Sequence, residues 1–222
     1  MMLWMAPTLR HRGGVGYCVF LGGGSAAGSG CTWSVVMKMS KIGYFSEFFL
    51  FPPLLTFALL LTFRSSIPLH PVIWASSYAC GIVSWTLIEY LLHRVLFHHA
   101  PILSQIHRLH HNSPQDLIGT PAWVSVLIGL GLVACPLCLA LGSDTGIAAT
   151  AGLATGYLWY VFVHYTTHHW RPRRNSYLYR ARQRHARHHH LSHSGNFGVT
   201  TSMWDHVFGT ALEAESKLTN AK

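Results

Sequence analysis

Four long apolar runs set what this chain can fold into. They cover about residues 44–63, 71–92, 122–141 and 145–164. Each is close to the roughly 20 residues with which an α-helix crosses about 30 Å of hydrocarbon. Half of the 222 residues are hydrophobic and only a tenth are charged, too apolar a balance for an ordinary soluble domain. The expected fold is therefore all-α, an integral membrane protein with about four transmembrane helices. Prolines in the first run and at the start of the second soften those boundaries. Glu89, near the end of the second run, is read as the one ionisable group inside a span.

Orientation follows from the basic residues. With four spans, both ends of the chain share a side with the connection between the second and third. All 16 Lys and Arg except Arg64 fall in those segments, which the positive-inside rule places in the cytoplasm. The formal charge of +9 then lies beside anionic headgroups. Nucleic acid is not an expected partner, because a basic surface for it would leave the spans unexplained. Cys18, Cys31, Cys80, Cys135 and Cys138 make a poor disulfide framework, being odd in number with three of them inside spans. The spacing in "CPLC" lies within an apolar run and is read as packing. Residues 1–38 are rich in glycine, and their apolar stretch is too short for a span or a signal sequence. They are expected to be disordered, or to be sequence upstream of a true start at Met39. Residues 39–215 form one membrane domain in this reading, with 216–222 as a tail.

Seventeen histidines carry the chemistry. His11 and His70 are isolated, and His206 lies near the end of the chain. The others form four groups: "HRVLFHH" from His93, "HRLHH" from His107, "HYTTHH" from His164 and "HARHHHLSH" from His185. The second span ends at the first group and the fourth span ends at the third. The second and fourth groups lie in cytoplasmic segments, so all four reach the same face of the membrane as a histidine-rich helical cap.

Spacing sharpens the point. His107, His110 and His111 stand at i, i+3 and i+4 and share a helix face, and His185, His188 and His189 repeat the pattern. His164 and His168 are i and i+4. His93 and His98 are five apart and converge only if their helix bends or ends between them. A lone helical histidine is ordinarily packed or solvated. Groups with shared faces on one side of a membrane point instead to metal, and imidazole suits zinc, copper, iron and nickel. Ten such residues exceed what one ion takes, so two ions are expected. His99, His169, His190 and His193 break the shared-face pattern, and orienting hydrogen bonds or simple solvation account for them. The arginines in "RPRRNSYLYRARQR" are expected to contact lipid phosphate or solvent.

The strings "EYLLHRVLFH", "HRLHH", "HYTTHH" and "HARHH", closed by "NFGVTTSMWDHVFGT", resemble the fatty acid hydroxylase and sterol desaturase superfamily of membrane-bound di-iron oxygenases. The resemblance runs from about residue 89 to 210. It places metal ligands at His93, His98, His107, His110, His111, His164, His168, His185, His188 and His189, and it excludes His206. Asp205 and Trp204 match the closing signature and are read as packing residues, with Asp205, Glu89 and His169 as candidates for orienting the ligands. The likeness is greatest to the branch that hydroxylates fatty acyl chains at carbon 2, although "NSPQDLIGTPAW" and the short interval between His98 and His107 depart from it and leave the substrate open. The resemblance implies two iron ions, with zinc as a substitute in purified protein, and O2 as co-substrate. Many relatives carry a haem domain marked by "HPGG". Here His70-Pro71 continues with Val-Ile, so the electrons are expected from a separate b-type cytochrome or a ferredoxin with its reductase.

An aliphatic C–H bond has no acidic proton and no leaving group, so the oxidation belongs to a cofactor and the protein's part is placement. Hydroxylation and desaturation use the same ligands and differ in where the lipid sits. A sterol or lipid desaturase, or a C-methyl oxidase, therefore remains the alternative within the family. A metal transporter is the alternative outside it, but transporters place their ligands near the bilayer midplane. The expected membrane is the endoplasmic reticulum or a bacterial inner membrane.

Overall fold

The computed structural model describes residues 17–21, 34–62, 70–191 and 194–212. Two strands, β1 (Tyr17–Leu21) and β2 (Ser34–Lys38), pair antiparallel with Tyr17 opposite Lys38. The rest of the segment up to residue 33, and the tail 216–222, lie outside the described residues.

Among the described residues beyond the strands, the regular elements are helices joined by loops. Helix α1 (Lys41–Thr62) opens on Ser40, whose hydroxyl accepts the Gly43 N–H at 3.1 Å, and it runs through Pro52 and Pro53. Helix α2 (Pro71–Leu91) starts with proline at its first position, where a missing N–H costs nothing, and continues into a π-turn over Leu92–Phe97. The short amphipathic α3 (Pro101–Asn112) follows. The third apolar run is built in three pieces, α4 (Ala122–Ile128), a π-turn at Gly129–Ala134 and α5 (Cys135–Leu141). Gly142, at φ +81°, turns the chain directly into α6 (Ser143–His169). Helices α7 (Tyr177–His190) and α8 (Met203–Val207) complete the order, with the Ser176 hydroxyl capping α7 through the Tyr179 N–H at 3.1 Å.

Four helical segments are long and apolar enough to cross a membrane: Lys41–Thr62, Pro71–Phe97, Ala122–Leu141 and Ser143–His169. Their packing suits lipid rather than water. Large apolar side chains such as Phe49, Phe57, Leu60, Val83, Leu127, Leu132 and Leu139 point outward, and small residues meet inside. The most extensive contact is between α2 and α6, made through Gly81, Ala149, Gly152 and Gly156. A Cβ on Gly152 would lie 2.0 Å from the Tyr78 carbonyl oxygen, and one on Gly81 would lie 2.2 Å from that of Ala149. Without a hydrophobic drive between helices in lipid, such close backbone approach supplies the attraction.

A second tie is polar. The carboxylate of Glu47 in α1 is buried and accepts hydrogen bonds from the Tyr157 hydroxyl of α6 and from the Ser125 hydroxyl of α4, the latter at 2.9 Å. Three span segments are joined there. Glu89 is thus not the only carboxylate within a span, as the sequence reading had it.

Candidate metal centre

The second span does not end as a regular helix. Over Leu92–Phe97 the backbone widens into the π-turn, whose hydrogen bonds reach five residues along the chain instead of four. On an α-helix, residues five apart point about 140° away from one another, since 3.6 residues make a turn. The wider turn brings them nearly into line. The His93 and His98 rings stack with centroids 5.3 Å apart, the bend that their spacing demanded.

Helix α3, entered through Pro101, brings His107, His110 and His111 beneath that turn. The end of α6 brings His164 and His168, and α7 brings His185, His188 and His189. The ring nitrogens form two groups. His93, His98, His107, His111 and His188 make the first; His110, His168, His185 and His189 make the second; within each, the nitrogens lie within 4.8 Å of one another. His164 joins the second group, with its Nε2 3.1 Å from that of His110 and 3.2 Å from that of His168. The shared faces on α3 and α7 each sit across the boundary, giving His110, His185 and His189 to one group and His107, His111 and His188 to the other. The groups adjoin, because the His111 and His189 rings stack at 4.0 Å.

The distances test whether a metal fits. In the first group, Nε2 of His107 is 3.1 Å from that of His93 and 2.9 Å from that of His111, and His98 is 3.2 Å from His188. In the second, His185 is 2.8 Å from His168 and 3.1 Å from His189. An ion with metal–nitrogen bonds of about 2.1 Å separates neighbouring ligands by about 3.0 Å at right angles and about 3.4 Å at tetrahedral angles. The observed spacings are of that size, so the residues fit metal.

Electrostatics agree. Burial, reinforced by neighbouring imidazoles, pushes His107, His185 and His189 far below the usual histidine range, and burial brings His110 down to about 4. These rings are neutral at physiological pH and keep a lone pair for an ion. Two have their tautomer fixed. His93 Nδ1 donates to the Phe197 carbonyl at 2.6 Å and His188 Nδ1 to the Gly195 carbonyl at 2.8 Å. A carbonyl only accepts, so each Nδ1 carries the proton and each Nε2 presents its lone pair to the group.

The candidates for orienting contacts fare differently. Glu89 does not reach His93. Its Oε1 accepts the Val199 and Thr200 N–H groups at 2.7 and 2.8 Å, and its Oε2 accepts the Thr200 hydroxyl at 2.7 Å. Asp205 accepts the Phe197 and Gly198 N–H groups at 2.8 and 2.9 Å. His169 stacks on Tyr165 at 4.4 Å and belongs to neither group. Trp204 donates to the Thr86 hydroxyl at 2.9 Å, tying α8 to α2. His99, His190 and His206 are exposed, and His193 lies outside the described residues. Arg184 departs from the expected lipid or solvent role: it turns inward, and its guanidinium donates to the Val199 carbonyl at 3.4 Å.

Sequence reasoning missed the carbonyls of Gly195 and Phe197, since a backbone group leaves no mark in composition. It also missed Tyr160, whose ring stacks on His164 at 5.6 Å. Glu47 was findable as a carboxylate inside an apolar run.

Comparison with known proteins gives consistent likenesses. Residues 78–210 match the family described as fatty acid hydroxylase. A fatty acid 2-hydroxylase of Macaca fascicularis is 35% identical over 155 residues, which are 64% of this chain and 41% of that protein. A dihydroceramide fatty acyl 2-hydroxylase of Arabidopsis thaliana is 34% identical over 149 residues, 60% of this chain and 59% of its own length. The hydroxylase domain visible in the solved structure of full-length scs7p superposes with a TM-score of 0.67 at 26% identity, covering 77% of this chain and 67% of that one. The chain thus spans about two fifths of the length of the macaque relative.

Proposed function

The chain belongs to the fatty acid hydroxylase family, and we propose that it is an integral-membrane, O2-dependent oxygenase that hydroxylates a lipid acyl chain at carbon 2. One observation carries this reading: ten imidazoles from four separate segments gather in two adjoining groups, at spacings an ion would impose, at one end of four span-length helices. Two irons are the proposed occupants. One would be held by His93, His98, His107, His111 and His188, the other by His110, His164, His168, His185 and His189. Bound iron would supply the reduction of dioxygen that acid–base side chains cannot perform.

The protein's own contribution is geometric. The carbonyls of Phe197 and Gly195 keep Nε2 of His93 and His188 unprotonated. The Phe197 ring packs against His93, His98 and His188 with centroids 5.4–5.7 Å away and keeps water from that side of the site. A site just outside the hydrocarbon suits a carbon near the lipid's polar end, with the tail left among the spans. Overall, one C–H becomes C–OH and the second oxygen atom leaves as water, which takes two electrons and two protons from outside the chain. A separate b-type cytochrome, or a ferredoxin with its reductase, is the proposed donor. The proposed location is the cytoplasmic face of the endoplasmic reticulum or of a bacterial inner membrane.

Lipid mass spectrometry of cells expressing wild type and His188→Ala tests the reading. The expected product is one oxygen heavier than its precursor and absent from the variant. A product lighter by two hydrogens would make the chain a desaturase. Metal transport into liposomes without lipid oxidation would overturn the oxygenase reading altogether.

A further inference from the structure

The loop 195–200 faces two ways. Toward the metal centre it offers carbonyls, that of Gly195 to His188 and that of Phe197 to His93. Away from it, four consecutive backbone N–H groups donate to two carboxylates. Phe197 and Gly198 donate to Asp205, and Val199 and Thr200 donate to Glu89. Glu89 is 2% exposed and Asp205 is fully buried. The loop has no slack elsewhere. Asn196 sits at φ +56° with its N–H on the Thr210 carbonyl at 2.9 Å, and a Cβ on Gly198 would lie 2.0 Å from the Thr201 carbonyl oxygen. Buried carboxylates that accept backbone amides make charge-assisted hydrogen bonds, roughly twice the strength of neutral ones. Here they fix where the two carbonyls stand.

Only one metal site receives this support. Both carbonyls serve members of the first group. The buried Nδ1 atoms of His110, His185 and His189 in the second group, and of His111 in the first, receive no such carbonyl. We infer that Glu89 and Asp205 are positioning residues for one ion of the pair: they hold the 195–200 loop so that its carbonyls set the tautomer and aim of His93 and His188, while the other ion is bound independently of the loop. The inference rests on the reading that the chain holds two divalent first-row ions.

Removing the Glu89 side chain leaves two buried amides without an acceptor and frees the loop to move. Loss of an orienting contact of this kind weakens metal binding about 10- to 100-fold. Equilibrium dialysis of the full chain in micelles against ferrous ion under anaerobic conditions reads this directly. Wild type is expected to bind two ions per chain; fewer would sink the two-ion reading itself. Glu89→Ala should keep one ion at wild-type affinity and weaken the other by about one to two orders of magnitude. Glu89→Gln, which retains an oxygen facing both amides, should restore it. His189→Ala should lose the opposite ion, so the double variant Glu89→Ala/His189→Ala should hold neither tightly. A double variant that keeps one tight ion would place both effects at one site and overturn the inference, as would Glu89→Ala weakening both ions equally or neither. Should Glu89→Ala fail to fold, Thr200→Val removes only the hydroxyl bond to Oε2, and weaker binding of one ion alone is again expected. Two ions at wild-type affinity in that variant would refute it.

Discussion

Replacing Gly152 with alanine adds one methyl at the tightest point between α2 and α6. That carbon would lie 2.0 Å from the Tyr78 carbonyl oxygen and would also press on the Gly81 Cα at 3.1 Å. Ordinary contact begins at 3.4 Å, so the helices must part by more than 1 Å. Both obstacles are backbone, and neither can swing aside. Overpacking of this kind costs about 1–3 kcal/mol, and each kcal/mol lowers the midpoint of a chain this long by about 2–4 °C. The apparent thermal midpoint, followed by helical circular dichroism in micelles, should therefore fall by roughly 2–12 °C. The effect should reach the chemistry, because α2 leads directly into the π-turn that positions His93 and His98 while α6 carries His164 and His168, and α3 and α7 bridge the two groups. A misplacement of about 1 Å can cost about 100-fold in rate, so hydroxylated lipid should drop at least tenfold. Gly131→Ala is the control, since no heavy atom lies within 4 Å of its added carbon. Wild-type midpoint and product from Gly152→Ala, or an equal loss from Gly131→Ala, would refute the argument that close backbone approach aligns the site.

Three further outcomes are expected. Inserting one alanine after Val95 sets His93 and His98 six apart, about 120° away from one another on a regular helix, and swings His98 away from His93; metal analysis should show one ion lost and one kept. Glu47→Ala leaves the Ser125 and Tyr157 hydroxyls without their acceptor, a cost of about 1–3 kcal/mol and toward the low end in lipid. It should lower the thermal midpoint while metal content stays at two per chain, because the carboxylate's hydrogen-bond partners are Ser125 and Tyr157 and not the histidines. Chelation should loosen the cap before the spans, so trypsin should cut the metal-free protein between Arg180 and Arg187 of α7 faster than the loaded form, with gel mobility as the readout.

Much of the fold was legible because hydropathy and helical spacing are properties of sequence. The four runs became four span-length helices with nearly the expected limits, and the shared faces of α3, α6 and α7 brought their histidines together. What was illegible depends on contacts between distant residues. The i, i+3, i+4 pattern on α3 gives no hint that His110 turns to one group and its neighbours to the other. Spacing alone showed that His93 and His98 needed a bend, but not that a widened turn would supply it. Glu89 reads in the sequence as a candidate for orienting the ligands, and His93, one helical turn away, is the nearest of them. The partners of Glu89 are instead 110 and 111 residues off, in a loop whose backbone does the orienting. Arg184 reads in the sequence like its basic neighbours, although its guanidinium turns toward that loop.

The reach of that loop has a consequence for how the protein is made. Glu89 leaves the ribosome 110 residues ahead of the Val199 amide it accepts, an interval of several seconds or more at about 5–20 residues per second. During that time all four apolar helices can enter the bilayer while the last histidine-bearing helix is still being synthesised. Until the late segment folds back, no complete cage of histidines exists to capture a metal ion. Membrane insertion can thereby finish before the proposed oxidising site is complete.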